Sequence, residues 1–314
     1  MRDFTITKGR TSEPVKVLIY GPEGIGKSTL ASKFPDPLFI DTEGSTKRMD
    51  VSRLPAPETW DDILDEIRYV AAHPEVCSTL VVDTMDWAES ICYNDLLKKN
   101  GWSSIEDPGY GKGYSFLMEK FREILPELDK VVSAGIHVVL TAHAAMRKFE
   151  QPDEMGAYDR WELKLQKKDA PLIKEWADMV LFCNYKTIVV KTESGSRKAQ
   201  GGERVIYTTH RPTWDAKNRF GFQDVIPMEF ESIADAIKET PKPVPKWQIL
   251  RDKMQEDEVE EFDLQNLVGI KGWASSVDPI ENYPKELIDF LLGDWEKVKK
   301  VIAENKGKEE IPFN

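Results

Sequence analysis

The sequence predicts an α/β protein: a mainly parallel, twisted sheet flanked by helices, followed by a small, mainly helical C-terminal unit. Three observations predict it. Short apolar runs alternate with helix-compatible segments through the first three quarters of the chain. Apolar strands alternating with helices imply a parallel sheet covered on both faces. A glycine-rich stretch, Gly21–Ser28, sits between one such strand and one such helix. A proline-rich segment, Thr240-Pro-Lys-Pro-Val-Pro-Lys246, then separates this region from an acidic remainder.

The elements follow in order. Val15–Tyr20, Leu38–Asp41, Thr79–Asp83, His137–Ala142 and Met179–Cys183 read as buried strands. Ser28–Phe34, Trp60–Ala72, Trp87–Asn100 and Tyr114–Ala134 read as helices; in the last, Phe116, Phe121, Leu125, Leu128 and Val132 recur at helical spacing. Lys186–Lys191 and Arg204–Thr209 flank a Gly/Ser/Gln-rich turn and read as a hairpin. The predicted boundaries are a core over 1–240, best supported over 14–235, a stiff linker over 241–246, a helical unit over 247–305 and a flexible acidic tail over 306–314. Within the C-terminal unit, Val268–Trp273, Asn282–Leu292 and Trp295–Ile302 read as short helices.

Composition bounds the functions. The chain has 314 residues and a net charge of −12, with no apolar run near the roughly 20 residues of a membrane span. The N-terminus lacks the apolar stretch of a secretory signal, and Cys77, Cys92 and Cys183 fall in no metal spacing. These features predict a cytoplasmic protein with reduced thiols. Charge is uneven. Residues 185–219 carry eight Lys/Arg against three Asp/Glu, and residues 250–314 carry nine against sixteen. The basic stretch reads equally as a polyanion footprint or as a solvated hairpin.

Gly21-Pro-Glu-Gly-Ile-Gly-Lys-Ser28 matches G-x-x-x-x-G-K-[ST] in full. Glycines at this spacing let backbone N–H groups turn inward around a phosphate chain. Gly21, Pro22, Glu23, Gly24, Ile25, Gly26, Lys27, Ser28 and Thr29 are therefore the expected nucleotide-binding residues. Lys27 is expected to reach the β- and γ-phosphates of ATP, and Ser28 to ligate Mg²⁺. Asp83, ending an apolar strand 55 residues later, is the expected second Mg²⁺ partner. Glu43 ends the strand that follows the P-loop helix, where a carboxylate can activate the attacking water. Asp41 is the less favoured candidate for that role.

Phe39-Ile-Asp-Thr-Glu-Gly44 after a P-loop resembles the RecA/RadA recombinase core, and the resemblance assigns Glu43 as the catalytic base. That family carries Gln or Asn at the end of its fourth strand as a γ-phosphate sensor; this chain carries His143, a departure. Lys217-Asn-Arg-Phe-Gly221 resembles the RadA signature and the Lys-x-Arg pair of hexameric helicases, which implies that Lys217 and Arg219 act on a neighbouring subunit's γ-phosphate. Residues 15–235 resemble phage-encoded nucleotide-binding proteins of this group, including single-strand annealing recombinases. Gly109-Tyr-Gly-Lys-Gly-Tyr114 and Glu175-Trp-Ala-Asp178 also carry that likeness. It implies a RecA-like P-loop NTPase core that uses ATP and Mg²⁺, binds single-stranded DNA, anneals or exchanges strands, and forms rings or filaments inside a bacterial host cell.

The same resemblance places a mobile DNA-binding loop over 144–174. That stretch interleaves Arg147, Lys148, Arg160, Lys164, Lys167, Lys168 and Lys174 with Phe149, Tyr158 and Trp161, a composition suited to single strands, although six acids nearly balance it. Lys112, with Tyr110 and Tyr114, forms a second candidate. The tail Glu309-Glu-Ile-Pro-Phe-Asn314 resembles the acidic tip of bacterial single-stranded-DNA-binding protein, with Asn314 in place of a terminal Phe, and so suggests shared partners. A ring-forming DNA motor or helicase loader, and a nucleotide-switched interaction protein without DNA affinity, remain the competing readings.

Overall fold

In a computed structural model of the chain, residues 8, 13–150, 156–191, 197–237 and 245–306 are described. The chain divides into two units, Met1–Lys242 and Pro243–Asn314.

The first unit is built on one sheet. Its elements are β1 (Lys16–Gly21), α1 (Lys27–Ala31), β2 (Pro37–Asp41), β3 (Ser52–Arg53), α2 (Trp60–Ala72), β4 (Thr79–Asp83) and α3 (Met85–Asn100). There follow α4 (Lys112–Arg122), α5 (Ile124–Ser133), β5 (His137–Glu150), β6 (Ala157–Leu163), α6 (Asp169–Trp176), β7 (Met179–Lys191), β8 (Arg197–Tyr207) and β9 (Val225–Pro227). The strand order is β3-β2-β4-β5-β1-β7-β8-β9, with β6 paired to β5. Strands β3 to β7 in this order run parallel; β6, β8 and β9 add antiparallel pairs.

The near-continuous apolar runs are explained by two buried layers. Leu18, Tyr20, Ile40, Leu80, Val82 and Leu140 face one layer, which includes Trp60, Ile63 and Ile67 of α2 and Phe121 of α4. Their neighbours Val17, Ile19, Phe39, Val81 and Val139 face the other, with Leu30 and Ala31 of α1. Successive strand residues point to opposite faces, so a strand covered on both must be apolar at every position. Cys77, Cys92 and Cys183 are buried and in no disulfide among the described residues. Helix α2 starts with a capping box: Asp62 N–H donates to Thr59 Oγ1 at 3.2 Å, and Thr59 N–H donates to Asp62 Oδ2 at 2.8 Å.

Three expectations need correction. The single helix over Tyr114–Ala134 is two, parted at Glu123. Pro126 has no N–H for the carbonyl four residues back, so it sits in the first turn of a new helix. The predicted mobile loop over 144–174 is an extended β5, its partner β6 and α6, with Ala144–Glu150 paired to Ala157–Leu163. The helix expected over Val268–Trp273 is only the last turn of Glu261–Ile270, and Lys271–Trp273 lie beyond its end.

The second unit packs α7 (Lys246–Glu256), α8 (Glu261–Ile270), α9 (Lys285–Gly293) and α10 (Trp295–Lys306) around Leu250, Leu264, Leu267, Ile280, Leu291 and Trp295. Helix α8 closes where Gly272 takes φ +68° and Trp273 N–H returns to Val268 O at 3.0 Å. The acidic tail and most of the linker lie outside the described residues. No described helix is long and apolar enough to cross a membrane.

Candidate active site

The site lies at the carboxyl ends of β1, β4, β2 and β5, the usual ligand position in an open parallel sheet. β1 delivers the chain into the Gly21–Ser28 turn. Gly21 is required by its neighbour: an added Cβ would stand 2.2 Å from the Cys183 carbonyl oxygen of β7. Gly26, with φ +109°, turns the backbone into α1 in a conformation that side-chain-bearing residues rarely adopt. Ile25 is buried, while Glu23, Gly24 and Thr29 are exposed around the loop.

Lys27 is only 5% exposed. Its Nζ donates to the Gly21 and Pro22 carbonyls at 3.3 and 3.1 Å. Burial pulls its pKa down, opposed by the charges of Asp83 and Asp86. Ser28 Oγ donates to Asp83 Oδ2 at 2.7 Å. Asp83 is fully buried; Ser45 Oγ donates to the same oxygen at 3.2 Å, and the Thr141 hydroxyl donates to Oδ1. The pairing of a P-loop hydroxyl with a buried carboxylate fits Mg²⁺ held by Ser28 and Asp83. The ammonium resting on loop carbonyls fits a triphosphate in the loop.

Asp41 has a structural task. It accepts from Gly44 N–H at 2.7 Å, Ser45 N–H at 3.1 Å, Thr46 N–H at 3.0 Å and Thr46 Oγ1 at 2.6 Å. Burial would raise its pKa, but these donors hold it below the usual range. Asp41 thereby pins the turn that presents half-buried Glu43. Burial raises the Glu43 pKa; His143 opposes the rise, Asp83 and Asp86 add to it, and Lys27 opposes it. Glu43, Lys27, Asp83 and His143 thus occupy one electrostatic neighbourhood. His143 is clamped by Asp86, whose Oδ2 lies 2.9 Å from Nδ1 and whose Oδ1 accepts the His143 N–H at 2.9 Å. Asp86 is the partner that motif reading missed; its position three residues after Asp83 at the start of α3 was the available signal.

Lys217 and Arg219 lie elsewhere. Lys217 pairs with Val180 on β7, level with Leu18, about 10 Å along the strand from the P-loop at 3.3 Å per residue. Its Nζ turns further away, to the carbonyls of Ala177 at 2.5 Å and Glu175 at 3.1 Å. Arg219 pairs with Asp178 at 2.9 Å. Neither is brought to the phosphate loop of its own chain.

The nucleic-acid candidates divide. Arg147, Lys167 and Lys168 line a cleft of about 610 Å³ together with Tyr110, Gly111, Tyr114 and Gln166. Arg147 Nη2 donates to Leu165 O at 2.9 Å, and Lys168 Nζ to Ser115 Oγ at 2.9 Å. Tyr110 is fully exposed at the rim. Gln166 N–H donates to Glu89 Oε1 at 2.8 Å, tying the cleft to α3 one turn beyond Asp86. Lys112 is exposed at the start of α4, Lys164 is exposed beyond β6, and Lys148 stands opposite Asp159 across the hairpin. Arg160 and Trp161 are engaged within the fold. The Arg160 guanidinium is bound to Asp215, and Trp161 packs against the core. Arg204 was visible to sequence reading only as one charge of the basic stretch. It instead reaches the P-loop, where Nη1 lies 3.3 Å from Ile25 O.

A family comparison agrees with this geometry. The model of the AAA domain family matches residues 13–220. Among solved structures the chain is similar to the flagellar accessory protein FlaH from Methanocaldococcus jannaschii, at 13% identity and a TM-score of 0.35. That match covers 68% of this chain and 84% of FlaH. No curated protein matches the chain. The P-loop strand β1 flanked by β5 and β7, with the Asp83 strand beyond β5, is consistent with a RecA-like P-loop NTPase core. Nucleotide binding and hydrolysis are the activities this core supports, and the chain belongs to the AAA domain family of P-loop ATPases.

Proposed function

We propose that the protein is a DNA-dependent ATPase of recombination that binds single-stranded DNA and promotes annealing or strand exchange. The observation that carries this reading is the cleft at Tyr110, Tyr114, Arg147, Lys167 and Lys168. Three stretches, 110–114, Arg147 on β5 and 166–168 after β6, converge there. They supply cations for phosphates and rings on which bases stack, the two requirements of a single-strand site.

The site geometry supports the following course of hydrolysis. Ser28 and Asp83 would hold Mg²⁺, which would neutralise charge on the β- and γ-phosphates. Glu43 takes a proton from a water as its oxygen bonds to the γ-phosphorus. The bond from phosphorus to the β-bridging oxygen breaks, leaving ADP and inorganic phosphate. Lys27 stabilises the charge on the transferring group. His143, oriented by Asp86, senses the γ-phosphate. Lys217 and Arg219 complete the site of an adjacent subunit in a ring or filament, since their own P-loop is out of reach.

Binding of a fluorescein-labelled oligothymidylate, followed by anisotropy across a salt series, tests the cleft. Lys167→Ala with Lys168→Ala is expected to weaken binding and to lower the salt slope by about 1.4, at 0.7 per phosphate contact. Tyr110→Ala is expected to cost about 1–3 kcal/mol. No binding at low salt, or binding indifferent to these substitutions, refutes the reading and favours a nucleotide-switched interaction protein.

A further inference from the structure

We propose that Arg204 of β8 is a nucleotide ligand, donating to the α-phosphate from the flank of the P-loop opposite the Mg²⁺ side. The inference rests on the nucleotide site and is independent of the nucleic-acid cleft.

The sheet order separates two flanks of the loop. Asp83 and Glu43 arise from β4 and β2, on the β5 side of β1. Arg204 arises from β8, two strands away on the β7 side. Its guanidinium nevertheless crosses back over β7 to the loop. Nη1 lies 3.3 Å from the Ile25 carbonyl and 3.0 Å from where a Cβ on Gly26 would stand. The Met228 methyl lies 3.8 Å from that same point, so a cation and an apolar thioether line this flank together.

The chemistry of the flank follows. The γ-phosphate end is fixed by Lys27, Ser28, Asp83 and Glu43. A triphosphate running through the loop away from those groups carries its α-phosphate and nucleoside toward β7 and β8. There it meets a guanidinium, which has five donors. Among the described residues it makes one long contact, to a single carbonyl, which leaves most of them for a phosphate. The contact lies on the part of the nucleotide shared by ADP and ATP.

The test uses the full-length protein with Mg²⁺, titrated with ADP, ATP and the two α-thio diastereomers of ADP. Arg204→Gln is expected to weaken ADP and ATP alike, by about 10- to 100-fold for a lost charge-assisted hydrogen bond, with Arg204→Lys recovering part of it. The wild-type protein is expected to discriminate between the α-thio diastereomers, and Arg204→Gln to lose most of that discrimination. A residue that merely braced the Ile25 carbonyl would leave the discrimination intact. Unchanged affinity, retained diastereomer preference, or a loss confined to ATP would each overturn the proposal. Far-ultraviolet circular dichroism and the melting temperature of the free variants confirm that they are folded.

Discussion

Glu43→Gln is expected to separate nucleotide binding from turnover. The substitution keeps the shape of the side chain and removes its ability to take a proton. A positioned general base contributes about 10²–10⁴-fold, which is about 3–5 kcal/mol of barrier. The structure sharpens the expectation in two ways. Burial raises the Glu43 pKa, bringing the carboxylate closer to the basicity that proton abstraction from water needs. Asp83 and Asp86 repel the charge of Glu43, so a neutral amide there relieves like-charge repulsion beside an anionic ligand. ATP affinity is therefore expected to stay level or rise by a few-fold, while kcat falls by at least about 100-fold. Equilibrium binding of a fluorescent ATP analogue and steady-state phosphate release measure the two halves. Asp41→Asn is the contrasting variant. It weakens four hydrogen bonds that shape the 42–46 turn, so it is expected to lower the melting temperature as well as activity. Turnover by Glu43→Gln within a few-fold of wild type refutes the assignment of the base.

Other predictions follow from the same geometry. Lys217→Ala and Glu43→Gln are each expected to be inactive alone; mixed in equal amounts they should recover about a quarter of wild-type turnover if sites form between subunits, and nothing if they do not. Gly21→Ala is expected to give a protein that fails to bind nucleotide or to fold, because its methyl would meet the Cys183 carbonyl; normal ATP binding by that variant contradicts the close approach. The acid pair Glu89 and Asp169 sets a pH dependence. Burial, reinforced by the neighbouring Asp169 carboxyl, pushes Glu89 up to about 8, with Asp86 also nearby. Glu66 on α2 is pushed up to about 7 by burial. Groups raised in the folded state contribute stability that is complete below their unfolded pKa, near 4.5, and lost as pH rises through the folded value. The melting temperature should therefore fall between about pH 5 and 8, and Glu89→Gln should flatten that fall; an unchanged slope in Glu89→Gln removes the pair as its source.

The parts legible in the sequence were those fixed by local pattern. Thr79–Asp83 and Trp60–Ala72 occur with the bounds that the apolar runs and helical spacing imply. The meeting of the Gly21–Ser28 turn with Asp83 was legible because the glycine spacing and an apolar strand ending in a carboxylate are local patterns. The 144–174 hairpin was not. Its strands alternate charged and half-buried residues under a balanced charge, which in sequence resembles a solvated loop. Arg160 looked available because its partner Asp215 lies 55 residues away. The cleft depends on α4 meeting the segment after β6, and Arg204 depends on a side chain crossing β7. Both are tertiary facts with no local signature. The split of the fourth helix was readable in principle from Pro126, but the apolar spacing continues through it.

On the proposed function, nucleotide turnover answers to single-stranded DNA. The most direct measurement is ATP hydrolysis with and without an oligonucleotide, at low and moderate salt, with Lys27→Ala as the blank. The account predicts stimulation that weakens as salt rises, because phosphate contacts weaken with salt. Hydrolysis indifferent to DNA at every salt contradicts it.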